Sequence, residues 1–111
     1  MEGVYADKQL LISRDGVGGL SFAGAIDHFN ADAMARAIAI ELDRPDSEGG
    51  LRLDMSRLEF ADVTGIKALV RVAEGADKDR PLVVTGLPWQ IARVMTLVGW
   101  AELPNLVVEE S

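Results

Sequence analysis

Leu51–Ala73, LRLDMSRLEFADVTGIKALVRVA, is the stretch on which the fold turns. It begins with the apolar run LRLDM, which predicts a strand over Leu51–Asp54. The chain then turns through polar residues to Phe60 and arrives at Asp62-Val63-Thr64-Gly65. Beyond that tetrapeptide, apolar residues recur at Ile66, Leu69, Val70 and Ala73, a spacing that marks one face of a helix. The segment therefore predicts strand, loop and helix, with an acid, a hydroxyl and a glycine at the helix entry. The N–H groups of a first helical turn lack partners inside the helix and lie at the positive end of its dipole. Thr64 stands where a phosphate or a partner's polar group is accommodated.

Upstream, Gln9–Ser13 predicts a strand, Arg14–Gly19 a turn rich in glycine, and Leu20–Gly24 a second strand that alternates apolar and small residues. Asp27-His28-Phe29-Asn30 opens a helix, with Asp27 and Asn30 as candidate N-caps, Asp32 in the first turn and Met34, Ala37, Ile38 and Leu42 on the buried face. Pro45 and Gly49-Gly50 end it. Downstream, Asp77–Pro81 is a charged turn and Leu82–Thr85 a buried strand. Pro88 suits a first helical position, Ile91, Val94, Met95 and Val98 mark a third helix, and Gly99 closes it with Trp100 packing back. Asn105–Glu109 is a final strand. The order is β-β-α-β-α-β-α-β. Helices joining successive strands imply parallel crossovers, so the expectation is an α/β fold: a mixed sheet with helices mainly on one face.

The chain has 111 residues, 49% of them hydrophobic, which suits a single domain with one core. It contains no cysteine, so disulfides, thiolate metal sites and cysteine nucleophiles are excluded, in keeping with a cytoplasmic setting. No secretory signal pattern and no apolar run near the roughly 18 residues of a membrane span is present. The formal net charge of −7 repels phosphate backbones, which argues against a nucleic-acid partner and for a protein with a basic rim. One histidine supports neither a metal site nor a histidine-centred nucleophilic relay. Gly16, Gly18 and Gly19 precede no helix and no Lys-Ser/Thr pair, so they read as a hairpin turn rather than a phosphate loop. Asp54 and Asp62 form a conceivable carboxylate pair, but no acid/base partner accompanies them, and the expectation is a protein that is not an enzyme and needs no cofactor.

In this order and spacing the chain resembles the STAS family of anti-sigma-factor antagonists. The strongest match is LDMSRLEFADVTGIKALV, similar to that family's strand, loop, Asp-Ser-Ser-Gly or Asp-Ser-Thr-Gly, and Leu-x-x-Leu. Gly24-Ala25-Ile26-Asp27 is similar to its Gly-Glu-Leu-Asp, and the late Gly99-Trp100 and Leu103-Pro104 also fit. The resemblance implies a cytoplasmic bacterial regulator that binds an anti-sigma factor, a serine kinase of the histidine-kinase-like ATPase type. In switching members that kinase phosphorylates the residue after the motif aspartate. Here that residue is Val63, which has no hydroxyl; Thr64 matches the second hydroxyl position.

Three readings remain: Thr64 is a shifted phosphoacceptor, the domain binds constitutively, or it serves another assembly, as a non-sigma STAS subunit of a signalling or transporter complex. A small anion or nucleotide binder using Thr64–Gly65 is a further alternative. The expected partner face joins Asp27, His28 and Asn30 with Asp62, Val63, Thr64, Gly65 and Lys67. Thr64 is otherwise a cap of its helix, and Lys67 either a solvated lysine or the partner of Asp62 or of a partner acid. Trp89 is open between surface and core, and a homodimer through an uncovered apolar face is a possibility.

Overall fold

The computed structural model describes residues 2–16, 18–44, 49–77 and 79–109, with only the backbone of Glu2 and Ala101. The predicted turn and linker residues Val17, Pro45 and Lys78 lie outside them. In chain order the elements are β1 (Glu2–Ala6), β2 (Leu10–Arg14), β3 (Gly19–Ile26), α1 (Ala31–Leu42), β4 (Leu51–Ala61), α2 (Val63–Glu74), β5 (Leu82–Thr85), α3 (Trp89–Leu97), a 3-10 turn (Trp100–Glu102) and β6 (Leu106–Glu109). One six-stranded sheet takes them in sequence order. β1, β2 and β3 pair antiparallel, and β3, β4, β5 and β6 pair parallel. Three right-handed crossovers stepping the same way along a sheet lay their helices on one face. Accordingly Leu20, Phe22, Leu51, Leu53, Leu82, Val84 and Leu106 enter one core with Met34 and Ile38 of α1, Ile66 and Leu69 of α2, and Met95 of α3.

Two strands differ from the expectation. β1 is additional: Val4 and Tyr5 are adjacent rather than alternating, and the strand exists because it pairs with β2 across an irregularity between Gly3 and Tyr5. β4 does not stop at Asp54 but runs on to Ala61. Its register with β3 slips between Ser21 and Ala23, and again between Gly24 and Ala25. An extra residue in one strand shifts which side chains face inward. Met55 and Leu58, three residues apart, are thus both buried, and the broken alternation reads as a turn in the sequence.

α3 also differs. Pro88 stands just before its first residue, at the cap position, and Val94 and Val98 are exposed rather than buried. Ile91 and Met95 meet the core, while Val94 faces an open gap between α3 and the far end of β4. A further tie escaped the sequence reading: Glu41, buried on α1, accepts from Arg14 Nη2 at 2.6 Å and from Arg14 Nε at 3.0 Å. It fastens the end of β2 to the helix layer.

Candidate functional site

Because β3, β4 and β5 are parallel, their C-terminal ends open on the same edge of the sheet, where open α/β folds bind their ligands. Three strand-to-helix corners stand there: Asp27–Asn30, Asp62 at the head of α2, and Gly86–Pro88.

The first corner is closed by its own polar groups. Asn30 Oδ1 accepts from the Asp27 N–H at 2.9 Å, and Asn30 Nδ2 donates to the Ala25 carbonyl at 3.0 Å. Asp27 Oδ1 accepts from the Phe29 N–H at 2.9 Å. Asn30 holds the cap position of α1 without capping it, and only 2% of it is exposed. The sequence placed Asn30 on the partner face; the structure places it under the loop, because its amide satisfies two backbone groups that would otherwise be buried alone. Asp27 forms a turn one step before the helix rather than a cap. His28 and Phe29 lie exposed on top, their ring centroids 4.1 Å apart. Phe29 is a surface residue that the sequence reading did not single out.

The second corner is different. Asp62 caps α2: its Oδ1 accepts from the Gly65 N–H at 2.8 Å, and its carbonyl accepts the first helical bond from Ile66 at 3.0 Å. The cap is Asp62 and not Thr64. With the cap made by a single side chain, Val63 and Thr64 project outward, and Val63 is 55% exposed. The two corners interlock. The Asp62 N–H donates to the Ile26 carbonyl at 3.1 Å. Gly65 is buried there, because a Cβ on it would come within 2.6 Å of Ile26 Cγ2. Lys67 is exposed one turn along α2, and among the described residues it makes no ion pair with Asp62.

Asp27, His28, Asp62, Val63, Thr64 and, further along α2, Lys67 are thus brought to one end of the molecule with their side chains at least partly accessible, while Asn30 and Gly65 support them from beneath. Asp54 belongs elsewhere. Asp54 pairs with Thr85 inside the sheet, eight positions of strand before Asp62, so the two form no carboxylate pair. Its carboxyl is lowered by the Ser56 hydroxyl and the Ser56 N–H. Among the described residues no group of three or more His, Cys, Asp or Glu is placed to hold a metal ion. The Asp62 carboxylate already sits at the N-terminus of α2, which disfavours a second anion there.

Between this corner and the start of α3 lies an open recess of about 490 Å³, walled by Phe60, Val63, Ile66, Ile91 and Val94. No local pattern signals it, since it forms where the far end of β4 meets α3. Trp89 lies on the other side of α3 and is exposed.

A family model described as "Mlab, STAS domain" matches residues 11–108. Among solved structures, an anti-sigma factor antagonist from Mycobacterium paratuberculosis is 29% identical, with a TM-score of 0.68 over 88% of this chain and 83% of that one. The Bacillus cell fate determinant SpoIIAA in its phosphorylated form is 12% identical, with a TM-score of 0.62 over 90% of each chain. The murine anion transporter Slc26a9 is 15% identical, with a TM-score of 0.63 over 97% of this chain but only 20% of that one. No curated protein matches the chain. Among the described residues no helix is long and apolar enough to cross a membrane.

Proposed function

This chain belongs to the STAS family, and we propose that it is a cytoplasmic bacterial regulator that works by docking on an anti-sigma factor of the histidine-kinase-like ATPase type, without chemistry of its own. The observation that carries the reading is the β4–α2 corner: a capping acid followed by an exposed Val63, where switching relatives place a phosphoacceptor hydroxyl. A valine there accepts no phosphate, so binding is constitutive. Thr64 is exposed next to it but follows the cap by two positions. The likeness to anti-sigma factor antagonists supports the partner class.

A second reading has one specific support: the same fold makes up about a fifth of an anion transporter. In that reading the domain docks on a transporter complex and the sigma factor drops out.

One experiment separates them. The tagged chain is incubated with host lysate and ATP, the retained proteins are identified, and the intact mass of the chain is read. The expected result is a retained kinase-like ATPase, loss of it in Asp62→Lys with the fold kept by circular dichroism, and an unmodified mass. A stoichiometric phosphate on Thr64 defeats constitutive binding. Retention of a transporter ATPase in place of the kinase favours the second reading.

A further inference from the structure

The recess between the β4–α2 corner and α3 differs from its neighbours in the charge of its walls. Its charged lining residues are Glu59 and Asp62, both acidic, and among the described residues no cation lines it. The recess across α3 contains Arg93 with Glu109, and the one between the C-terminal ends of α1 and α2 contains Arg71 and Arg80 with Asp43 and Asp77. Its apolar walls are also left open to water. Phe60 is 55% exposed and Val94 39%, beside the half-exposed Val63. Exposed apolar clusters with a polar rim mark interaction sites.

We infer that this recess receives a partner helix presenting aliphatic side chains at i and i+4, flanked by lysine or arginine. The inference rests on the corner being a docking surface and names the chemistry that it recognises. An amphipathic helix lays spaced apolar anchors into such a groove. Covering Asp62 and Glu59 with an apolar surface alone strips water from two carboxylates, a cost that cations on the incoming helix offset. Val63 then has a positive role. It extends the apolar wall up to the helix cap, where a hydroxyl or its phosphate would bring polarity into the groove.

Two synthetic helical peptides with the same leucine face, one flanked by lysine and one by glutamate, test this by titration into isotope-labelled protein. The lysine peptide is expected to perturb the amides of Val63, Ile66, Ile91 and Val94 and to bind at least about tenfold tighter than the glutamate peptide. Val94→Asp is expected to weaken it about tenfold, the scale of one buried aliphatic contact. Phe60→Ser is a second disruption at a half-exposed site, and Ile40→Asp on the exposed side of α1 (66% exposed) leaves binding unchanged. Perturbations mapping elsewhere, or insensitivity to both Val94→Asp and Phe60→Ser, overturn the proposal. So does a concentration-dependent dimer that covers Val94, since the occupant is then a second copy. If Asp62→Lys abolishes kinase retention while Val94→Asp and Phe60→Ser keep it, the docking corner stands and the recess falls. If the lysine peptide binds at the recess and no kinase is retained, the recess stands and the anti-sigma partner falls.

Discussion

At Asp27–Asn30 the Asn30 amide turns inward beneath the loop; at Asp62–Gly65 one acid makes the cap and Val63 and Thr64 after it face outward. Both corners follow a parallel strand, contain an acid and lead into a twelve-residue helix. In the first, Asn30 is buried with both ends of its amide engaged, and the helix behind it begins without a side-chain cap. In the second, the Asp62–Gly65 bond suffices, and Val63 and Thr64 are left for contact. The difference teaches that helix-entry chemistry alone does not say whether a corner holds the fold or displays a surface. What decides is whether the side-chain polar atoms find backbone partners in the strand and loop that lead into the helix. The first corner is therefore expected to fail by unfolding, and the second by losing its partner.

The largest effect is expected at Gly24, just ahead of the first corner. Its φ is +111°, and a Cβ there would lie 1.8 Å from the Gln9 carbonyl oxygen. That oxygen accepts from the Ala25 N–H at 2.9 Å, so it cannot simply move aside. Gly24→Ala combines strained backbone with an overpacked contact, each costing about 1–3 kcal/mol. The expected loss is about 3 kcal/mol or more, read as a lower urea midpoint. A loss of under about 1 kcal/mol breaks the view that the first corner is a structural brace.

Next comes a direct contrast between the corners. Asn30→Ala strands the Asp27 N–H and the Ala25 carbonyl, and the expected destabilisation is about 2 kcal/mol. Asp62→Ala removes one cap bond, and about 1 kcal/mol is expected. Partner binding should show the reverse order: Asp62→Ala weakens it while the fold persists, and Asn30→Ala weakens it only as the fold fails. Equal effects of the two substitutions on both readouts remove the distinction.

The second corner was legible in the sequence because its signals are local. Asp62, Gly65 and the helical spacing from Ile66 to Ala73 lie within a dozen residues, and the helix with its acidic entry follows from them, although the cap falls to Asp62 rather than Thr64. Asn30 misled for the same reason. As a sequence residue it is a good N-cap, but its position depends on a carbonyl and an N–H that only the folded loop presents. β1 and the second half of β4 were missed because each depends on a neighbouring strand: one pairs through an irregular register, the other carries extra residues that break its alternation. Val94 and Val98 keep helical spacing, but their exposure depends on what packs against α3, and Val94 faces the open recess. The recess joins residues about 30 positions apart, and no window along the chain contains it.

The smallest expected effect concerns the turn between β1 and β2, a charge-based brace. The Tyr5 hydroxyl donates to Asp7 Oδ2 at 2.6 Å, and Asp7 Oδ1 accepts from the Gln9 and Leu10 N–H groups at 2.7 and 2.8 Å. These bonds lower the Asp7 carboxyl from 3.8 to about 2, with the Tyr5 hydroxyl the largest cause, then the Gln9 N–H, and smaller parts from Leu10 and the Asn30 amide. A lowered carboxyl stabilises the fold fully above its unfolded value and loses that contribution as pH falls through its folded value. Stability from Asp7 is thus complete above pH 3.8 and fades toward pH 2. The carboxylate is open to solvent, so screening keeps the effect small. Carbon-detected titration of the Asp7 side chain measures the shift directly, and Tyr5→Phe should move it back toward the ordinary carboxylate range. If Asp7 titrates at an ordinary value in the unaltered chain, its carboxylate adds no charge-based stability to the β1–β2 turn.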